Sequence, residues 1–317
     1  MITGLLGIGI GIGLAMQTAV NSRLRKFVVS PYLASMVSFV VGTLFLAITM
    51  LIIGEPLGIT INIFVNEPIW IWFGGLCGVF FLTVNILLFP KIGSVQTTVL
   101  PILGQIIMGM LIDHFGWFHS MQQPFDSHRL LGVILVIAGV TFAVALQDVL
   151  SKRGTNIIQA PTTPKSQAKQ WIWRFIGIGA GMLTSVQVAI NGELGSVLNS
   201  PVRAAFVSFL VGTIILIAIV GLKERTFAGL KNTFKQKAPW WVWIGGILGG
   251  LYVLINVLLV GQIGTGQTVI IVLFGQVTGS LLVERFGLFG STKNKITWVQ
   301  IVGLILMVAG IIIVQLF

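Results

Sequence analysis

A chain of 317 residues that is 56% hydrophobic and only 9% charged carries far less charge than the roughly one quarter found in a soluble domain. With runs such as IVGLILMVAGIIIVQLF at its C-terminal end, it reads as an all-α integral membrane protein rather than a soluble enzyme. The net charge of +11 would suit nucleic acid only if the cations formed one patch, and they do not; the single cysteine, Cys77, excludes an internal disulfide and a thiol metal cluster.

A span needs about 20 apolar residues, and the sequence offers ten candidates in chain order, approximately 3–22, 32–54, 69–89, 94–112, 130–147, 172–191, 202–221, 240–260, 266–283 and 298–316. The first has no basic residue before its apolar run and Arg23, Arg25 and Lys26 just after it, which is the reverse of a cleavable signal peptide. Pro101 falls inside the fourth span and predicts a kink there. His114, His119 and His128 share one loop region without helical ligand spacing, and read as ordinary loop residues. If loops alternate between two sides, 17 of the 19 Lys and Arg lie on one side, and Arg129 and Arg203 alone lie on the other. The positive-inside rule then puts both termini outside the cytoplasm. All nine Trp fall at predicted span ends, as interfacial anchoring expects. Residues 148–170, rich in Pro, Thr, Gln and Lys, read as a cytoplasmic linker.

The chain repeats itself. QTAVN at 17–21 returns as QVAIN at 187–191, and 17–43 aligned with 187–213 gives 13 identities in 27 positions without a gap. At an offset one residue larger, 72–116 matches 243–287 at 16 of 45 positions. The expected organisation is a first five-helix repeat at 1–147, the linker, and a second at 171–317. Because five is odd, the second copy enters the membrane from the opposite side, so ten transmembrane helices form two inverted repeats.

Polar residues recur at matched positions inside these spans: Gln17, Asn21, Ser38, Asn85, Gln96, Gln105 and Asp113 in the first copy, and Gln187, Asn191, Ser208, Asn256, Gln267, Gln276 and Glu284 in the second. An amide in hydrocarbon is costly unless paired, so these groups either join neighbouring helices or line a wet cavity. Gln105 and Gln276 fall mid-span, where inverted-repeat transporters hold substrate. They are the first candidates for solute contact, followed by Asn85, Asn256, Gln17, Gln187, Asn21 and Asn191. Asp113 and Glu284, at opposite ends of their helices, are candidates for ion coupling. Gly at three- and four-residue spacing in both copies predicts close helix approach. GIGIGIG follows no strand, which disfavours a nucleotide loop.

LGQIIMGMLIDHFGWF at 103–118 and FGQVTGSLLVERFGLF at 274–289, together with the two opening-helix motifs, resemble the YdcZ-like branch of the drug/metabolite transporter superfamily. The resemblance implies a bacterial inner-membrane helical bundle, here two fused five-helix units, similar to small multidrug exporters that work as antiparallel dimers. Those exporters carry a glutamate in the first helix, where this chain has Gln17 and Gln187, so coupling at such a carboxylate is not implied. The expected function is secondary transport of a small organic metabolite or drug by alternating access, with export favoured. No enzyme site, cofactor or metal is expected. The expected partners are the small-molecule substrate and membrane lipid, with a homodimer compatible but not required. A lipid flippase and a structural or regulatory membrane subunit fit the same residues as alternatives.

Overall fold

The computed structural model describes residues 2–58, 61–124, 126–146, 164–224, 227–291, 293 and 295–316; within these ranges the side chains of 61–62, 82–83, 85–87, 89–98, 144–146, 164–170 and 315–316 are not described. Among the described residues the fold is all-helical. The helices are α1 (Ile2–Val28), α2 (Pro31–Ile53), the short α3 (Ile61–Asn66), α4 (Gly74–Phe115), α5 (Ser127–Val140, continuing as a π-helical turn to Leu146), α6 (Pro164–Val197), α7 (Pro201–Lys223), the short α8 (Gly229–Lys235), α9 (Gly245–Ile263), α10 (Thr265–Phe286) and α11 (Trp298–Leu316). Among the described residues six helices are long and apolar enough to cross a membrane, and Val99–Phe115, Ser127–Ala143 and Trp298–Val314 are shorter apolar helices.

The boundaries follow local chemistry that both copies share. Ser30 and Ser200 cap α2 and α7, their side chains accepting from the backbone N–H of Leu33 and Arg203, with Pro31 and Pro201 opening each helix; proline at a first turn forfeits no intrahelical bond. Gly116 and Gly287 end α4 and α10 at φ 63° and 65°, the left-handed conformation that glycine adopts without penalty. Helix α6 begins at Pro164, inside the stretch expected to be linker, because PKSQAKQ offers a first-turn proline followed by good helix formers. Residues 147–163, most of the predicted linker, lie outside the described residues.

Helix α4 is a single helical run of 42 residues, whereas the sequence predicts two spans there. Its path reconciles the two. A Cβ placed on Gly177 would lie 3.3 Å from Leu88 Cδ1 and 3.4 Å from Leu100 Cβ, yet a straight helix would hold those leucines about 18 Å apart. Likewise Gly78 meets Gln187, while the Gln105 carbonyl accepts from Ser185 Oγ. The chain therefore turns back between Leu88 and Leu100, and arms 74–88 and 100–115 both pack on α6. In the second copy the corresponding corner is open to view: α9 and α10 are separated by Gly264 at φ 81°, ψ 173°, a region essentially restricted to glycine.

The two copies interlock. Helix α6 of the second copy lies in the fold of α4, and α1 of the first lies against α9 and α10. A Cβ on Gly181 would come within 1.9 Å of the Pro101 carbonyl oxygen, one on Gly11 within 2.2 Å of that of Val272, one on Gly104 within 1.9 Å of that of Ile178, and one on Gly275 within 2.2 Å of that of Ile8. These contacts exchange in pairs when the copies are exchanged, as a two-fold relation requires. Helices α2 and α7 cross on that axis, with the rings of Phe39 and Phe209 4.9 Å apart and the hydroxyls of Thr43 and Thr213 2.9 Å apart. Gly132 and Gly139 of α5 meet Gly310 and Gly303 of α11 in the same reciprocal manner. Buried apolar clusters accordingly draw on both copies, as in the group containing Ile106, Met110, Val136, Ile270 and Met307.

Two outcomes follow for thermal unfolding in detergent. Gly181→Ala, which drives a methyl into backbone, should destabilise by about 1–3 kcal/mol. Gly179→Ala, which has open space around it, should leave the melting temperature unchanged or raise it. At the corner after α1, exposed Val29 sits at φ 63°, whereas its repeat mate Asn199 sits at φ 48°. A β-branched residue tolerates this region poorly and asparagine tolerates it well. Val29→Asn should therefore stabilise by roughly 1 kcal/mol, and a lower melting temperature would refute the strain.

Candidate functional site

The repeated Gln-x-x-x-Asn motif acquires a partner in space. Residues four apart share a helix face, and α1 turns Gln17 toward Gly249 and Asn21 toward Gly245, while α6 turns Gln187 toward Gly78 and Asn191 toward Gly74. Amides spaced by four thus meet glycines spaced by four on a helix of the other copy. The fit is close: a Cβ at Gly74 would lie 2.0 Å from Asn191 Oδ1, and one at Gly245 would lie 2.3 Å from Asn21 Oδ1. Asn21 Nδ2 donates to Ser38 Oγ at 3.2 Å, and Ser208 lies beside Asn191 in the mirrored place. Asn191 is 3% exposed. These four amides sit at helix crossings, and among the described residues the Oδ1 atoms of Asn21, Asn191 and Asn256 are buried without a hydrogen-bond donor. Asn256 Nδ2 donates to the Tyr252 carbonyl at 2.7 Å. The side chains of Asn85 and Gln96 lie outside the described residues.

Gln105 and Gln276 stand on the two helices that interlock. Gln105 is 7% exposed; its neighbour Gly104 is pressed against α6, and its carbonyl accepts from Ser185 Oγ at 2.7 Å, but its side-chain amide makes no hydrogen bond to a described residue. Gln276, half-buried, is next to Gly275 against α1, and its carbonyl accepts from Ser280 Oγ at 2.9 Å. The 100–115 arm of α4 runs antiparallel to α10, since Asp113 reaches Thr265 and Gly266 while Gly109 lies against Gly266 and Val269. Gln105 is one turn back along the arm from Gly109. An unpaired amide this deep can take both a donor and an acceptor from a solute.

Asp113, a candidate for ion coupling at the end of its helix, is enclosed by the start of α10. It is 1% exposed, and its carboxylate closes over the first turn of α10: Oδ1 accepts from the Thr265 N–H at 2.9 Å and Oδ2 from the Gly266 N–H at 2.8 Å. The first N–H groups of a helix have no intrahelical acceptor, and the helix dipole favours negative charge there, so both the carboxylate and the buried helix end are compensated. Glycine at 266 permits the approach, because a Cβ would lie 2.9 Å from Oδ2. Around this clasp, the Asp113 carbonyl accepts from the Gln123 N–H at 2.8 Å and Ser120 shares a 2.7 Å hydroxyl bond with Thr265. Gln123 Oε1 accepts from Arg129 Nη2 and, at 3.1 Å, from Gln267 Nε2. Gln267, one of the matched polar positions, is thus part of the clasp. Sequence reading passed over Ser120, Gln123 and Ser185. The available signals were the polar run HSMQQPFDSHR at 119–129 and the TS pair just before Gln187. Glu284, half-buried near the end of α10, is the repeat mate of Asp113.

Replacing Asp113 with Leu removes both charge-assisted acceptors and should cost about 3 kcal/mol, with Asn intermediate because one oxygen remains. The melting temperature and the hydrogen exchange of the Thr265 and Gly266 amides read this directly. Unchanged exchange at both amides in Asp113→Leu would show that the carboxylate does not hold the helix end.

Comparison with known proteins agrees with this architecture. The family described as "Putative inner membrane exporter, YdcZ" matches twice, over residues 2–142 and 172–313, once in each copy. No curated protein matches the chain. A crystal structure of a protein 14% identical superposes over 99% of this chain and 96% of its own, with a TM-score of 0.65; at that identity the likeness speaks for the fold alone. Matched over nearly its whole length by two successive copies of one family unit, this multi-pass membrane chain belongs to the YdcZ inner membrane exporter family.

Proposed function

We propose that this chain is a ten-span secondary transporter that exports a small organic metabolite or drug by alternating access, its two copies lying inverted in the membrane. The observation that carries the site is Gln105: a residue 7% exposed, on the arm that packs against α6 and α10, whose side-chain amide has no hydrogen-bond partner among the described residues. An amide without a protein partner inside a helix bundle is costly until water or a solute pairs it, and a solute that supplies the partner is the economical reason to keep it. Gln276 supplies the related amide from the other copy. Asn85, Asn256, Gln17, Gln187, Asn21 and Asn191 form the outer shell of solute contacts, reached when the amide–glycine crossings part. The reciprocal glycine contacts support the mechanism, since two interlocked copies of one unit have two equivalent ways to open, one toward each side. Asp113 and Glu284, at opposite ends of that path, are the coupling carboxylates in this reading. The termini and residues 148–170 take the orientation that the distribution of Lys and Arg prescribes, with the linker cytoplasmic.

Reconstituted protein tests the reading. Electrical and pH responses of proteoliposomes to a panel of organic cations, zwitterions and neutral amines should include a saturable flux. Gln105→Leu and Gln276→Leu should each lower that flux at least tenfold, about 1.4 kcal/mol of lost solute interaction, while leaving the melting temperature near that of the parent. A fall in stability with flux intact would instead make these amides helix joints, as in a structural membrane subunit.

A further inference from the structure

The short helices α3 and α8 are the same element in the two copies, at opposite faces of the protein, and only one of them is cationic. Helix α8 packs on the corner between α1 and α2: a Cβ on Gly229 would lie 2.5 Å from the Val28 carbonyl oxygen, and Leu230 joins the cluster around Leu24, Val28 and Leu33. Its outer side presents Lys231 and Lys235, followed by Lys237, and the adjoining end of α1 presents Arg25 and Lys26; all five are exposed. Among the described residues none of these five side chains makes a hydrogen bond or an ion pair, and the nearby Glu224 is taken by Ser30. Beside the cations stand large exposed apolar side chains, Phe234 at 75% and Trp240 at 76% exposure, with the Phe234 ring against Trp243.

Helix α3 has the same apolar side, with Phe64 and Val65 exposed, but its flanking charges are Glu55 and Glu67. The one arginine that reaches its approach, Arg203, is held by the carbonyls of Gly58 and Leu198. Exposed aromatics place both elements at the membrane surface. Only the α8 face adds uncompensated cations at that depth, where the available counter-charge is the phosphate of a lipid headgroup.

We infer that the α8 face, formed by Arg25, Lys26, Lys231, Lys235 and Lys237 beside Phe234 and Trp240, is a binding surface for anionic phospholipid. The cations take the headgroup phosphate and the aromatics lie along the acyl chains. The inference requires the membrane setting but no particular solute, so it stands or falls separately from the transport reading.

Purified full-length protein in neutral detergent, titrated with phosphatidylglycerol or phosphatidylcholine and followed by thermal unfolding, provides the test. Phosphatidylglycerol should raise the melting temperature more than phosphatidylcholine, and added salt should weaken the difference. The triple variant K231Q/K235Q/K237Q should bind phosphatidylglycerol more weakly by roughly fivefold per lysine removed, whereas the Lys→Arg triple should keep the parent response. The inference is overturned if the Gln triple keeps the parent response, or if inorganic phosphate alone reproduces the stabilisation. A salt-insensitive response of the parent protein would overturn it as well, without any variant.

Discussion

The close approach of backbones at glycine between the two copies is the contact on which the rest of this structure depends. In lipid, apolar side chains gain little by leaving their surroundings for one another, so helices associate through close packing and hydrogen bonds. Gly11 and Gly275, and Gly104 and Gly181, bring carbonyl oxygens of the facing helices to distances that no side chain could share. The same glycines set the depth at which neighbouring polar residues lie. Gln105 follows Gly104 and Gln276 follows Gly275, so each amide is carried to a crossing by the residue before it.

Those contacts pass from one copy to the other, and this alters what the duplication means. Two repeats in sequence suggest two bodies with a seam. The protein instead threads α6 into the fold of α4 and lays α1 along α9 and α10, so that neither copy completes its packing alone. The amide–glycine pairs belong to the same scheme. Gln17 and Asn21 are matched by Gly249 and Gly245, and Gln187 and Asn191 by Gly78 and Gly74. A polar residue at a crossing of this kind holds register between helices.

The departures from symmetry are as informative as the repeat. Asp113 closes the first turn of α10 with two backbone hydrogen bonds and gathers Ser120, Gln123, Arg129 and Gln267 around it, whereas its mate is a glutamate followed by arginine where the first copy has histidine. The longer side chain and the added cation give the second end a different chemistry. The corner residues Val29 and Asn199, and the helices α3 and α8, likewise answer one fold with two compositions. These substitutions lie at the ends of the unit rather than in its crossings.

Composition and periodicity by themselves determined that this is a helical membrane chain, because 9% charge cannot cover a soluble surface and long apolar runs need lipid. Self-alignment determined the duplication. Helix starts at the Ser-Pro pairs and stops at the Phe-Gly pairs are local events, capping and left-handed turns, that a few residues decide. What lay beyond the sequence was every contact between residues far apart in the chain. The glycine partners of the four opening amides, the packing of both arms of α4 on α6 and the clasp of Asp113 on Thr265 and Gly266 all join positions scores of residues apart. The matched polar positions were visible as a list, but whether an amide sits at a crossing, in a clasp or before an open partner depends on which helix faces it. Tertiary structure alone decided that, because the same apolar stripe permits many neighbours and only the close fit of glycine against backbone selects one.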